Sequence, residues 1–210
     1  MPGSVKARTV RRLADPDARE AVLVDPHGRD LPVLSALLAE RELRLRWVLR
    51  THQHDDQMPL EAALLARLGA PLVQGRDGGP GTSQRGEGDT LAFGNELVRV
   101  LATPGHTASC LSFAWRDRLF CGGLLVVGGC PHQPEAAAPQ VWWDSVRERV
   151  FTLPDETLLF GAHGRRARAV STVLEQRRWH PWFAALSRDE FLARMAAPPV
   201  PHRLPPPRCA

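Results

Sequence analysis

The chain has 210 residues, 43% of them apolar, and its 27 basic and 23 acidic residues leave a formal charge of +4. That length suits a single domain with a substantial core, and no apolar run approaches the ~20 residues of a membrane span. The basic residues are almost all arginine (Lys6 is the only lysine) and are scattered rather than striped with aromatics, so a nucleic-acid surface is not expected.

The elements follow in chain order. Residues 1–12 are polar and basic, lack an apolar signal core, and are expected to be an irregular tail on a cytoplasmic protein. Ala21 to Val24 reads as a strand stopped by Pro26 and Gly28. Val33 to Glu42 carries apolar residues at helical spacing. Leu45 to Leu49 reads as a strand, Pro59 to Leu68 as a helix closed by Gly69, and Pro71 to Gln74 as a short strand. Gly75 to Gly88 is Gly-rich and polar and reads as a loop. Thr90 to Phe93 pairs with Glu96 to Ala102 across Gly94-Asn95, and Cys110 to Trp115 pairs with Arg118 to Cys121 across Arg116-Asp117. Gln140 to Phe151 predicts a helix, Thr157 to Phe160 a strand, and Ala167 to Arg178 a helix. The stretch 198–210 is proline-rich and reads as an irregular tail, leaving a core over about 20–197.

Chemistry concentrates in Thr51-His52-Gln53-His54-Asp55-Asp56-Gln57, just after the 45–49 strand. Two histidines one residue apart at a strand end can point both imidazoles into one loop cavity, and Asp56 follows two positions later. Neutral imidazole and carboxylate are the ligands of zinc and iron sites. Asp56 is the candidate catalytic carboxylate; the alternatives are that it ligates metal, or holds a loop amide or a histidine in place. His27, His180 and His202 lie beside prolines or in turns and are expected at the surface, and the Trp142-Trp143 pair is expected half in the core. Cys110 and Cys121 fall in apolar strand-like runs and read as small core residues. No pair of the four cysteines has Cys-x-x-Cys spacing, and reduced thiols are expected.

Other segments match a known pattern in order. They are Val22-Leu23-Val24-Asp25-Pro26, Thr103-Pro104-Gly105-His106-Thr107, Leu119-Phe120-Cys121-Gly122-Gly123, Gly129-Cys130, Gly161-Ala162-His163-Gly164, Val170 through Arg178, and Ser187-Arg188-Asp189-Glu190-Phe191. On these residues and the His52 run, the chain resembles the metallo-β-lactamase fold family, and within it the glyoxalase II and persulfide dioxygenase branch. The resemblance implies an α/β architecture, an αββα sandwich of two mixed sheets packed between outer helices. It implies His52, His54 and His106 at a first metal position, a three-histidine set with one open place that suits catalytic zinc. The second position would draw on Asp56, on Gln57 where the pattern has histidine, on His163, and on an aspartate replaced here by Gly123.

Persulfide dioxygenases of this pattern bind one iron through the positions of His52, His106 and Gly123, so the two-histidine, one-carboxylate triad lacks its carboxylate. On the substrate side the resemblance points to Cys130, while His132 stands where the pattern has arginine and Arg165, named from its position after the last ligand loop, where it has tyrosine. The expected cofactor is one divalent transition metal, Fe(II) or Zn(II). The expected partner is a small thiol-derived substrate such as glutathione persulfide, with no nucleic acid and no membrane, and a homodimer is admitted. Three functions stand: a mononuclear metalloenzyme of the persulfide dioxygenase kind, a zinc-dependent thioester hydrolase, and an inactive binding module. Gly123→Asp is expected to strengthen iron binding, with two obstacles foreseen: a positive φ at Gly123, or Leu124 or His132 filling the space.

Overall fold

Strands along two stretches of sequence bury both faces, which is what a sandwich covered by helices demands. The computed structural model describes residues 10–52, 58–76, 82–125, 138–161 and 170–197. Among them, one sheet runs in the order β1 (Arg11–Asp15), β2 (Glu20–Val24), β3 (Arg44–Leu49), β4 (Leu72–Gln74), β5 (Ser83–Gln84). Only its β1–β2 pair is antiparallel. The second sheet comprises β6 (Thr90–Phe93), β7 (Glu96–Ala102), β8 (Leu111–Trp115), β9 (Arg118–Gly122), β10 (Leu158–Gly161) and β11 (Val170–Thr172). Its strands are ordered β11-β10-β9-β8-β7-β6, all antiparallel except β9 with β10.

Alternation along each strand sorts its side chains between two cores. Val22, Val24, Leu49 and Val73 of the first sheet meet Leu91, Phe93, Val98, Val100, Phe113 and Phe120 of the second. The opposite residues of β2, Ala21 and Leu23, face Leu34 and Leu38 of α1 (Leu31–Glu40). Leu65 of α2 (Met58–Ala66) packs with Val48 and Leu72 on that same outer side. Beyond the second sheet, Leu119, Cys121 and Leu159 meet Trp142, Trp143, Val146, Phe183 and Phe191. These come from α3 (Pro139–Asp144), the π-helical turn Ser145–Val150 that continues it, the segment after α4 (Val173–Trp179), and α5 (Arg188–Ala196). The architecture is the expected αββα sandwich. Ser187 opens α5 with a reciprocal capping box to Glu190.

The two sheets are also tied by polar bonds at one end. The Asp15 carboxylate accepts from Asp17 N, Ala18 N and Asn95 N, and Glu20 accepts from Gly94 N at 2.7 Å. Trp47 donates its indole N–H to Ala92 O at 2.8 Å.

Several boundaries differ from expectation for identifiable reasons. The N-terminal tail gives way to β1 already at Arg11, because pairing with β2 compensates a segment that carries few apolar residues of its own. Helix α1 starts at Leu31, since Pro32 fits the first turn, and ends at Glu40, with Glu42 in the left-handed region at φ +51. Within the Gly-rich loop, Ser83–Gln84 adds a short strand beside β4. The helix expected from Ala167 begins only at Val173. Val170–Thr172 pairs with β10 instead, and the Thr172 side chain then caps the helix by accepting from Glu175 N. The helix expected over 140–151 loosens into π geometry from Ser145. The tails 1–9 and 198–210 lie outside the described residues. No helix of the described residues is long and apolar enough to cross a membrane.

Candidate metal centre

β2, β3 and β9 and the loop after β7 bring their chemistry-bearing ends together. Past β3, Arg50 N bonds to Val73 O and Thr51 O accepts from Leu111 N at 2.7 Å, which ties this end to both neighbouring β4 and the second sheet. Asp25 follows β2 in a left-handed conformation, φ +49. Its carboxylate takes the Thr51 N–H at 2.8 Å, and the Thr51 hydroxyl lies 3.0 and 2.9 Å from its two oxygens. Burial pushes the Asp25 carboxyl above the usual range, opposed by the Thr51 bonds and by the charges of Arg50 and His27.

The same Thr51 hydroxyl is 2.9 Å from His52 Nδ1. A hydroxyl has one proton. With Asp25 ionised that proton goes to the carboxylate, so Thr51 accepts from His52 Nδ1–H and leaves the ring's lone pair on Nε2. That tautomer, which holds only while Asp25 is ionised, is one a metal ligand can use.

His106 sits in the turn between β7 and β8. Thr103 N bonds to Cys110 O, the Thr103 and Ser112 hydroxyls meet at 2.8 Å, and Gly105 N bonds to Thr107 O. Gly105 has φ +132, a conformation a side chain would strain. His106 is 2% exposed, and its ring meets that of His52 edge-on, centroids 5.0 Å apart at 66°. Two imidazoles on one tetrahedral metal at ~2.0–2.1 Å place their centroids about 5 Å apart, so the pair fits a single divalent transition metal.

The end of β9 closes the arrangement. A Cβ on Gly122 (φ +53) would overlap the Thr51 hydroxyl, so glycine lets β9 lie against the Asp25–Thr51–His52 link. A Cβ on Gly123 would stand 2.5 Å from His106 Cδ2, 2.6 Å from His106 Nε2 and 3.2 Å from His52 Nε2. Both Nε2 atoms thus lie close to where a side chain at 123 would begin. Of the obstacles foreseen for an aspartate here, the positive φ belongs to Gly122 and not Gly123, and the His106 imidazole takes up the space.

Of the expected site residues, His52 and His106 are brought together. His54, Asp56, Cys130, His132, His163 and Arg165 lie outside the described residues, as does Gln57. Among the described residues no group of three histidine, cysteine or acidic side chains converges. Cys110 and Cys121 are buried as expected, and burial raises their thiols to about 11 and about 12. Two expectations are corrected. His180 is 3% exposed, because its ring packs on Phe183 at 4.9 Å and its Nδ1 accepts from Trp182 N. Trp142 and Trp143 are both buried, since α5 and Phe183 cover the face that a helix on a sheet would otherwise expose. The parts played by Thr51 and Asp25 were not legible as a link to His52; their only signal was a polar pair at two strand ends.

No family model matches the chain. Over 188 residues it is 34% identical to the human mitochondrial persulfide dioxygenase ETHE1, covering 87% of this chain and 74% of that protein. It is 38% identical over 167 residues to a hydroxyacylglutathione hydrolase of Gloeobacter violaceus, covering 76% of this chain and 65% of that one. The crystal structure of ETHE1 from Myxococcus xanthus superposes with a TM-score of 0.78 at 32% identity, covering 95% of this chain and 93% of that chain. The chain belongs to the metallo-β-lactamase superfamily, in the branch that holds glyoxalase II and the persulfide dioxygenases. These relatives are named as enzymes, one kind an oxygenase and the other a hydrolase.

Proposed function

We propose that the protein is a mononuclear metalloenzyme acting on a small thiol-derived substrate of the glutathione persulfide class. The metal, Fe(II) or Zn(II), is held by His52, His54 and His106. The observation that carries this reading is the approach of His52 and His106 to the Gly123 position, with the Thr51 hydroxyl between the Asp25 carboxylate and His52 Nδ1. The relationship to persulfide dioxygenases supports the substrate class. A metal bound there supplies a Lewis acid and, as iron, a redox centre for a thiolate. The chain's own residues orient the two imidazoles, and packing buries that of His106. Cys130, His132 and Arg165 are proposed to line the substrate side, Asp56 to move a proton or brace a ligand, and His163 to stand as an additional donor.

A second reading, a zinc-dependent thioester hydrolase, is favoured by Gly123 itself. Where a carboxylate would complete an iron triad, glycine leaves neutral imidazoles, the donor set of catalytic zinc. The relationship to a hydroxyacylglutathione hydrolase supports it as well. Elemental analysis of protein reconstituted with Fe(II) or Zn(II), then oxygen uptake with glutathione persulfide and hydrolysis of a glutathione thioester, separates the readings. One metal per chain and oxygen uptake support the first; zinc with thioester cleavage supports the second. No metal retained by either protocol overturns both and leaves a binding module.

A further inference from the structure

The two segments that face each other across the candidate centre, Pro104-Gly105-His106 and Gly123-Leu124, belong to different loops with no strand pairing between them. What joins them is one residue of the covering helix. A Cβ on Gly105 would overlap the backbone nitrogen, α-carbon and β-carbon of Trp142, so the His106 loop lies directly on the first turn of α3. The Trp142 indole N–H reaches the other way and donates to Leu124 O at 2.9 Å. One turn on, the Ser145 hydroxyl donates to Pro104 O at 2.7 Å. The indole is itself fixed, since the rings of Trp182, Phe183 and Phe191 meet it edge-on at 5.5, 5.3 and 5.6 Å. From Ser145 the helix takes π geometry, a feature that recurs beside functional sites.

We propose that Trp142 is a positioning residue. Its backbone braces the His106 loop and its indole holds the Gly123–Leu124 turn, so a single side chain in an aromatic cage sets the gap across the metal centre. The mechanism needs no contact between Trp142 and the metal; it acts through where His106 and Gly123 stand. Trp143 is the internal control, because it is buried in the same cage, its ring 5.6 Å from Phe183 and 5.1 Å from Phe191. The metal arm of the test rests on the function proposed above; the other arm does not.

Trp142→Phe and Trp143→Phe are compared with the parent in two measurements. The first is the ring nitrogen and proton resonances of His52 and His106 in metal-free protein, by long-range 15N–1H correlation. The second is a Co(II) titration followed by visible absorption. Trp142→Phe is expected to shift the His106 ring resonances, alter the Co(II) bands and weaken Co(II) binding at least tenfold. Trp143→Phe, although it removes ring from the same core, is expected to leave the resonances and the bands in place. Superposition of the Trp142→Phe spectra on the parent's overturns the proposal, and so does an equal change from Trp143→Phe. If the parent takes no Co(II), the metal-centre reading falls, while the imidazole resonances still decide the positioning role. If Trp142→Phe does not fold, Trp142→Tyr, which also lacks the indole N–H that bonds Leu124 O, replaces it: His106 resonances are expected to shift, and unchanged resonances overturn the proposal.

Discussion

Placing aspartate at Gly123 tests the geometry of the centre more directly than removing a histidine does. The new Cβ would stand 2.5 Å from His106 Cδ2 and 2.6 Å from His106 Nε2, against 3.4 Å for the closest ordinary contact. The imidazole must therefore retreat by about 1 Å, and with His106 only 2% exposed it retreats into packed neighbours rather than solvent. Overpacking of this kind costs about 1–3 kcal/mol. For a chain of this size that lowers the melting temperature by roughly 2–12 °C. Metal acts in the opposite direction. A ligand at a hundred times its dissociation constant adds about 2.7 kcal/mol to the native state, and a carboxylate beside two imidazoles should bind iron more tightly than the imidazoles alone. Calorimetry of parent and Gly123→Asp, each metal-free and Fe(II)-loaded under nitrogen, reads both effects. The metal-free variant is expected to melt lower and to gain more from iron than the parent does. A metal-free variant melting with the parent would show that His106 does not occupy that space. A lower melting point with no larger iron gain would show that the carboxylate does not reach the imidazoles.

Other outcomes follow from the same contacts. Thr51→Val removes the hydroxyl between Asp25 and His52 and is expected to weaken zinc binding about 10–100-fold in a chelator competition, while Thr51→Ser retains it; equal affinities for Val and parent would refute the link. In native protein at pH 8, Cys110 and Cys121 are expected to resist a disulfide reagent, since burial raises them to about 11 and about 12, and to react only in denaturant. Backbone amides of Asn95, Ala18 and Asp17 hold the Asp15 carboxyl below its ordinary value, so its contribution exists above the unfolded pKa and is lost as pH falls through the folded one. Urea unfolding should accordingly separate Asp15→Asn from the parent at pH 7 and bring them together near pH 2; a constant gap would refute the assignment. Phe113→Ala empties a fully buried position between the sheets and is expected to cost about 3–5 kcal/mol in the same assay.

The sandwich was legible wherever sequence pattern and local chemistry agree. The hairpins across Gly94-Asn95 and Arg116-Asp117 form at the expected turns, because alternating apolar residues flank a two-residue loop in each. What escaped was decided by partners distant in sequence. Arg11–Asp15 has little strand pattern and is a strand because β2 lies beside it. Val170–Thr172 continues a helical periodicity yet extends, because β10 offers an open edge. His180 looked like a turn histidine and is buried by Phe183 and Trp182. At the centre, residue types announced the His52 run and the resemblance of its Pro-Gly-His loop announced His106, but periodicity says nothing of a hydroxyl shared between a carboxylate and an imidazole.

Gly105, Gly122 and Gly123 make one structural statement from two segments, the turn between β7 and β8 and the end of β9. Each removes a side chain where another group must come close: the backbone of Trp142, the hydroxyl of Thr51, and the imidazole of His106. The first two approaches hold the scaffold of the centre, and either alone would be ordinary close packing. The third differs, because the group that comes close is a candidate ligand and the missing side chain could have been one. A carboxylate at 123 and the observed His106 rotamer exclude each other without movement. A carboxylate introduced at 123 and the placement of His106 are therefore coupled, and the one asks the other to yield. That coupling is why the single substitution at Gly123 reads the placement of both imidazoles at once, which removing either histidine does not.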